Sequence, residues 1–221
     1  MKNILEFLAD LKINNNREWF HANKDRYQVA LAEFTTLTGE VLTLLKKADL
    51  RLDGLDPKDA IFRIYKDIRF SQDKTPYKTH FGAFLARGGR KSLHSGYYFQ
   101  IAPGDSFLAA GSFMPDKDQL YAIRQEIAFD TARIRTILAG KKLSGHFSFY
   151  EKDRLKTGPK GFPKDHPAMD LLVNRHFILT RDLADDDLHR TDLARAMADD
   201  FILTVPFVTF LNEAMEFGGN E

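Results

Sequence analysis

Three residues, Pro103–Asp105, connect two short segments that are rich in aromatic or β-branched side chains. A connection this short can only join antiparallel neighbours, because a parallel crossover needs about a dozen residues or more. Gly104 can adopt the positive φ angle that such a turn requires. Four segments of this type are bounded by turn residues: Ala60–Tyr65, His80–Ala86, Gly96–Ala102 and Ser106–Phe113. They predict an antiparallel β-meander over residues 58–113.

The sequence on both sides of the meander has the 3.6-residue apolar period of helices. Residues 1–55 form a predicted helical N-terminal part. Residues 114–221 combine helices with a basic loop and a last strand. The segments predicted there are helices at Asp116–Phe129, Thr131–Leu138, 166–173 and Leu188–Phe217, a strand at 176–183 and a second, short strand within 146–150. We therefore expect one α+β domain over 1–221, in which N-terminal and C-terminal helices pack on the meander.

Composition excludes several kinds of site. There is no cysteine, which rules out disulfides, thiolate metal sites and cysteine nucleophiles and fits a cytoplasmic protein. The seven histidines are scattered without metal-ligand spacing, so we expect neither a metal nor a cofactor. No apolar run approaches the roughly 20 residues of a membrane span. Glu6 and Asp10 interrupt the first apolar stretch, which does not resemble a signal peptide.

Positive charge is concentrated in one part of the chain. The formal net charge is only +1, but residues 58–94 hold nine basic and three acidic side chains. Nucleic-acid-binding domains are usually basic overall, so we do not expect a nucleic acid as the partner. The local excess of positive charge instead predicts a site for a small anionic ligand.

The basic side chains of this region follow one predicted strand and the bend after it. On an extended chain, Arg63 and Arg69 point to the same face of the sheet. Arginine offers a planar fork for carboxylate or phosphate, and lysine offers a mobile point charge. The residues expected to bind the ligand are Arg63, Lys66, Arg69, Ser71, Lys74 and Lys78.

Other side chains nearby could transfer protons or form a wall. Asp67, Asp73 and Tyr77 are the candidate catalytic residues, since each could orient the ligand or exchange a proton with it. Trp19 could lie as an aromatic wall against the sheet, although a lone tryptophan more often serves packing. Tyr97 and Tyr98 alternate in direction along their strand, so one belongs to the core and the other can reach the Arg63 face. We name Tyr97 as the second wall.

One stretch also carries a resemblance to known proteins. The stretch "RIYKDIRFSQDKTPYK", residues 63–78, fits the motif R-x-x-[RK]-D-x-R-F-S-x-D-K-x-P-Y-K of a family of uncharacterised bacterial and fungal proteins, a domain of unknown function. Further matching pieces are "NNREWFHANKDRY" (15–27), "GYYFQIAPGDSFLAAG" (96–111), "LYAIRQEI" (120–127) and "LKTGPKGFPKDHP" (155–167). Lys66 stands where the family more often has arginine. The resemblance implies a single α+β domain and no established activity.

Three hypotheses follow for the function. The first is a pocket protein that binds a small phosphorylated or carboxylated ligand, with or without catalysis. The second is a non-catalytic module that docks an acidic partner or nucleic acid. The third treats Arg63, Asp67, Arg69 and Asp73 as a salt-bridged network that only holds the loop in place. We prefer the first, because the loop has more hydrogen-bonding capacity than a connection needs and Pro76 restricts its freedom.

Overall fold

The structure is a computed structural model that describes residues 1–69 and 72–217, the last of these by its backbone alone. Its α-helices are α1 (Lys2–Ile13), α2 (Arg17–Ala22), α3 (Lys24–Leu45), α4 (Pro57–Ala60), α5 (Lys117–Phe129), α6 (Thr131–Leu138), α7 (Lys141–His146), α8 (Met169–Leu172) and α9 (Leu193–Phe217). Its strands are β1 (Phe81–Leu85), β2 (Gly96–Ile101), β3 (Ser106–Ser112), β4 (Ser148–Phe149) and β5 (Phe177–Leu183). Short 3₁₀ helices cover Leu50–Leu52, Gly89–Lys91 and Asp185–His189.

The five strands form one antiparallel sheet in the order β1-β2-β3-β5-β4, and helices pack on it. The first three strands are a meander, as the short connections predicted. Gly104 has a φ of +72° in the turn between β2 and β3. In the last pair, Ser148 lies opposite Thr180 and Phe149 opposite Leu179. The predicted α+β class is confirmed.

The chain divides into two compact units. The first comprises residues 1–91, 98–108 and 182–199, and the second comprises 92–97, 109–181 and 200–221. In the first unit, Phe34 of α3 packs against Phe81 and Phe99, with 5.3 Å between ring centres in both pairs. The single domain over 1–221 stays a prediction.

The buried Arg124 ties two elements of the second unit together. Its guanidinium donates hydrogen bonds from α5 to the carbonyl oxygens of Leu172 and Asn174, at 2.8 and 2.9 Å. These are acceptors at and just beyond the end of α8 that have no partner within the helix. Arg124 therefore fixes where the chain runs between α8 and β5.

One predicted strand is not a regular strand. In the predicted strand Ala60–Tyr65, Ala60 is instead the last residue of α4. The rest of the segment makes only two isolated bridges, Ile61 with Ala83 and Tyr65 with Tyr77. Asp56 accepts a hydrogen bond from the Lys58 N–H and Pro57 occupies the first turn, so the local sequence favours a helix start here. The meander therefore has three strands rather than four.

Most predicted helices form within a few residues of their expected bounds. Asp116 caps α5 and Gln119 completes a capping box, which explains the sharp start of that helix. Pro206 does not split α9, which is one helix from Leu193 to Phe217. The six-residue α7 was not predicted and lies in what was expected to be loop. Within the described residues, no helix is both long and apolar enough to cross a bilayer.

Candidate functional site

The segment from Ile61 to Lys66 lies antiparallel to the chain that leads into β1. Phe62 donates its N–H to the Gly82 carbonyl at 2.9 Å, and the Lys78 N–H donates to the Ile64 carbonyl at 2.7 Å. Ile64 is buried, whereas the odd-numbered side chains from 63 to 69 are exposed. Arg63 and Arg69 thus lie on the exposed side of this irregular hairpin, as the alternation predicted.

The loop beyond this hairpin is held by a lysine–aspartate pair. The Lys66 ammonium donates to Asp73 Oδ2 at 2.6 Å and to Thr75 Oγ1 at 2.7 Å. Asp73 also accepts the Thr75 N–H at 2.9 Å. The hydrogen bond from Lys66, followed by that from the Thr75 N–H, holds the pKa of Asp73 well below its ordinary value. Lys66 and Asp73 therefore satisfy each other within the loop.

A second pair joins two further residues of the loop. The Arg69 guanidinium binds both carboxylate oxygens of Asp67: Nε donates to Oδ1 at 2.9 Å and Nη2 donates to Oδ2 at 2.6 Å. The side-chain hydrogen bonds from Arg69 lower the pKa of Asp67 to about 2. Carboxyl groups with such low pKa values are weak proton acceptors at neutral pH. This geometry favours structural roles for Asp67 and Asp73, the two carboxylates named as catalytic candidates.

Lys74 and Ser71 are the other two residues of this loop that were expected to bind the ligand. The ammonium group of Lys74 donates to the Ile68 carbonyl at 3.1 Å, which draws it back over the loop. Ser71 lies outside the described residues. The loop cations are thus largely used within the loop itself.

Arg63 and Lys78 differ from the loop cations. In the part of the chain that the structure describes, neither lies within ion-pair distance of a carboxylate. The Lys78 ammonium instead lies 5.3 Å from the centre of the Phe62 ring. Burial lowers the pKa of Lys78, and the nearby charge of Arg63 lowers it further. Two positive charges therefore lie close together without an ion-pair partner among the described carboxylates; Asp67, which Arg69 already binds, acts on Arg63 only from a longer distance.

A tyrosine of β2 extends this surface. The rings of Phe62 and Tyr98 are 6.2 Å apart. The Tyr98 hydroxyl donates to Gln100 Oε1 at 3.3 Å, and Gln100 in turn donates to Asp105 Oδ2 at 3.0 Å. Burial, with a smaller contribution from Asp105, raises the pKa of Tyr98 to about 12. Tyr98 is therefore a neutral hydroxyl group throughout the physiological pH range.

Gly82 of β1 makes room for that tyrosine. A Cβ atom at Gly82 would lie 2.6 Å from the Tyr98 hydroxyl oxygen and 3.2 Å from two ring carbons. Real Cβ contacts are not this short, so a side chain at this position would displace the Tyr98 ring. The glycine is needed here for close packing rather than for an unusual backbone angle.

His80 lies two residues after Lys78 and is half-buried. Burial lowers its pKa below the ordinary value, and the charge of Lys78 lowers it further, while Asp105 acts in the opposite direction. Its ring makes no hydrogen bond with another described residue. We call Arg63, Lys78, His80 and Tyr98 the sheet-edge cluster. Sequence reasoning missed His80, although its two-residue spacing from Lys78 was a usable signal.

The remaining predicted site residues lie elsewhere. Tyr77 is 3% exposed and stacks on Phe20 with 4.0 Å between ring centres. Burial, followed by the neighbouring Tyr65, raises its pKa. The Asn15 side chain holds the Tyr77 backbone through two hydrogen bonds of 2.9 and 3.1 Å. Tyr77 is thus part of an aromatic core cluster.

The two predicted walls are also displaced from the cluster. The ring of Trp19 packs against Phe7 at 5.9 Å, with Arg26 over it at 6.0 Å. Tyr97 is fully buried and packs edge-on against Phe201 at 5.5 Å. The structure therefore corrects the choice between the two neighbouring tyrosines: Tyr98, not Tyr97, lies beside Phe62.

The cluster offers three kinds of chemistry in one place: fixed positive charge, a neutral hydroxyl donor and an imidazole that is neutral near pH 7. Such groups can bind a carboxylate or phosphate and exchange a proton with it. No group of three or more histidine, aspartate or glutamate side chains that could hold a metal ion occurs within the described residues.

Comparison with known proteins gives one match. The model of a family described as conserved hypothetical protein DUF2461 matches residues 3–210. No curated protein and no solved structure matches the chain significantly.

Proposed function

Since the chain belongs to the DUF2461 family, whose description carries no activity, we propose from the geometry that it binds a small anionic molecule at the sheet-edge cluster. The observation that carries this proposal is which cations have a carboxylate partner and which do not. Lys66 and Arg69 have carboxylate partners, whereas Arg63 and Lys78 have none among the described residues. A half-buried charge without a partner is unfavourable in the free protein. A bound anion would relieve that penalty.

The ligand is a carboxylate or a phosphate group on a compact molecule. Arg63 can present its planar fork to two oxygens of such a group, and Lys78 supplies a point charge. The Tyr98 hydroxyl can rotate its proton from Gln100 to a ligand oxygen. Burial lowers the pKa of His80, so its ring is available in the neutral form as a proton acceptor, which would suit general base chemistry on the bound molecule.

The loop of residues 67–75 has a supporting role in this proposal. Two ion pairs, Arg69 with Asp67 and Lys66 with Asp73, connect residues of this segment to each other. This internal pairing favours the third hypothesis, a network that holds the loop, for three of its four residues, Asp67, Arg69 and Asp73; Lys66 takes the place of Arg63. The anion contacts then belong to the hairpin and β2 rather than to the loop.

Titration with inorganic phosphate and with phosphate monoesters, followed by calorimetry, tests the proposal. We expect saturable one-site binding that Arg63→Ala and Lys78→Ala each weaken by about tenfold or more, because each removes a charge-assisted hydrogen bond. Arg190→Ala is the matched control, since it removes the same charge from a residue that is paired with Asp192 through the same two hydrogen bonds. Equal losses in all three variants, together with retention on heparin at low salt, would instead support a diffuse acidic partner.

The cellular location and the source of the protein are inferred from the sequence. The absence of cysteine supports a cytoplasmic location. We further propose a bacterial source, one of the two groups whose proteins the motif at residues 63–78 resembles.

A further inference from the structure

In the first unit, the face of the sheet that points away from α3 carries a row of aromatic rings. Along β2, Phe99 points to Phe34 of α3, so its neighbour Tyr98 points to the opposite face. The ring centre of Tyr98 lies 6.2 Å from that of Phe62 in the hairpin and 5.6 Å from that of Phe107 in β3. All three side chains of the row are half-buried. We call Phe62, Tyr98 and Phe107 the aromatic row.

The rings of the aromatic row do not cover one another as core rings do. The planes of Phe62 and Tyr98 are inclined by 59°, and those of Tyr98 and Phe107 by 43°. In the aromatic core cluster, by contrast, Tyr77 and Phe20 are nearly parallel, at 13° and 4.0 Å. Partly uncovered aromatic faces are surfaces on which planar rings stack. The row therefore has ring surface to offer to a planar guest.

Tyr98, in the middle of the row, is held in place on two sides. Gly82 makes room for its ring, since a Cβ atom there would lie 3.2 Å from two ring carbons. The Tyr98 hydroxyl donates to Gln100, whose amide donates to the backbone and side-chain oxygens of Asp105 at 2.9 and 3.0 Å. A ring fixed in this way binds a stacked partner with little loss of conformational freedom.

The aromatic row begins at the cations of the sheet-edge cluster. The Lys78 ammonium lies 5.3 Å from the centre of the Phe62 ring, at the hairpin end of the row. Tyr98 is the next ring along, followed by Phe107. A ligand whose phosphate binds Lys78 reaches these two rings only if a short spacer separates the phosphate from its own ring. A nucleotide is built in this way, because its ribose separates the phosphate from the base.

We propose that the ligand of the sheet-edge cluster is a nucleoside monophosphate, whose phosphate binds Arg63 and Lys78 and whose base stacks on Tyr98 and Phe107. The proposal rests on the anion site and adds the part of the ligand that the cations do not contact. Stacking tolerates different bases, because every base has a π face. A single nucleotide suits this chain better than a nucleic acid, because its formal net charge is only +1.

Calorimetric titrations of the full chain with AMP, ribose 5-phosphate and inorganic phosphate test this proposal. Ribose 5-phosphate carries the phosphate and the sugar of AMP but no base. We expect AMP to bind about tenfold tighter than ribose 5-phosphate, because stacking of a base on an aromatic side chain strengthens binding by about this factor. In nuclear magnetic resonance spectra, the ring protons of Tyr98 and Phe107 should shift upfield with AMP and not with ribose 5-phosphate.

A pair of matched variants locates the base. Phe107→Leu removes a ring and retains an apolar side chain, so it should lower the ratio of the two affinities, AMP over ribose 5-phosphate, by about threefold or more. Phe129→Leu makes the same change in α5, at a side chain that is 88% exposed, and should leave the ratio unchanged. Melting curves show whether each variant is folded, and the spectra of the wild type depend on neither variant.

The possible results separate this proposal from the anion site itself. Equal affinities for AMP and ribose 5-phosphate, ring protons that do not shift with AMP, or a ratio that Phe107→Leu leaves unchanged would overturn the nucleotide. Binding of inorganic phosphate that Lys78→Ala weakens would still support the anion site in each of these cases. Binding of none of the three compounds, or AMP binding that Lys78→Ala leaves unchanged, would overturn both.

Discussion

The ammonium nitrogen of Lys78 lies 5.3 Å from the centre of the Phe62 ring, in a place where burial lowers its pKa. The aromatic face compensates part of the lost hydration. Arg63 adds a second positive charge nearby instead of a negative one. This arrangement is unfavourable for the free protein and favourable for a bound anion. Stability and binding are therefore expected to respond in opposite directions to changes at Lys78.

We predict that Lys78→Met stabilises the free protein at neutral pH while abolishing phosphate binding. The folded-state pKa of Lys78 is lowered, so the charged form is penalised in the folded protein and methionine removes that penalty. The melting temperature should rise by roughly 2 °C at pH 7. Because the unfolded lysine also loses its proton near pH 10.5, the advantage should shrink as the pH rises towards that value. Lys74→Met, at a lysine bound to the Ile68 carbonyl, is the control and should not stabilise.

His80 predicts a specific dependence of stability on pH. Its folded-state pKa lies below the ordinary 6.5, so the unfolded chain binds the proton first as the pH falls. The wild type should therefore lose stability from about pH 6.5 downwards, over the interval between the two pKa values. His80→Gln removes this contribution. Urea denaturation at pH 8 and pH 5 measures the difference between the two proteins, and a difference that is the same at both pH values would contradict the assignment.

The contact between Gly82 and Tyr98 can be tested with a double-mutant cycle. Gly82→Ala places a methyl group 2.6 Å from the Tyr98 hydroxyl oxygen, and we expect it to destabilise the protein by about 1–3 kcal/mol. Tyr98→Phe removes that oxygen. The double variant should therefore recover part of the loss, although the two ring carbons at 3.2 Å still crowd the methyl group. Strictly additive effects in thermal unfolding would show that the two residues do not meet.

Asn15 is expected to hold the hairpin in place through the Tyr77 backbone. It makes two hydrogen bonds across 62 positions of sequence, so Asn15→Ala leaves a backbone donor and an acceptor of Tyr77 unpaired. We expect a loss of about 1–3 kcal/mol in the free energy of unfolding. Asn15→Asp retains only the acceptor and should retain part of the stability. A neutral Asn15→Ala would show that the contact is dispensable.

The parts of the fold that follow from local sequence could be predicted. The turn at Gly104 and the helix that begins near Asp116 depend on residues a few positions apart, and both formed as expected. The segment after Ala60 shows where this approach fails. Phe62 pairs with Gly82, but Ile64 pairs with Lys78 rather than with His80, which a regular register would place there. Such a shift depends on contacts between distant segments, which the alternation of side chains does not encode.

The candidate site shows the same division. The exposed side of Arg63 and Arg69 could be predicted from alternation. The preferred hypothesis did not predict that the cations of the loop would bind acceptors within the loop itself. The positions of the two aspartates could have indicated this pairing. Asp67 and Asp73 each accept a hydrogen bond from the backbone N–H of the residue two positions later, which is typical of aspartate in turns. The proposed roles of His80 and Tyr98 could not be derived locally. They depend on how three separate segments meet at β1 and β2.

The most direct test of the anion site is to follow the titration of Lys78 and His80 by nuclear magnetic resonance, with and without inorganic phosphate. A bound anion stabilises the protonated forms of both groups, so the pKa values of the Lys78 ammonium and the His80 ring should rise together when phosphate is added. Arg63→Ala should largely remove the response. Titration curves of both groups that do not change at saturating phosphate would contradict the proposed site.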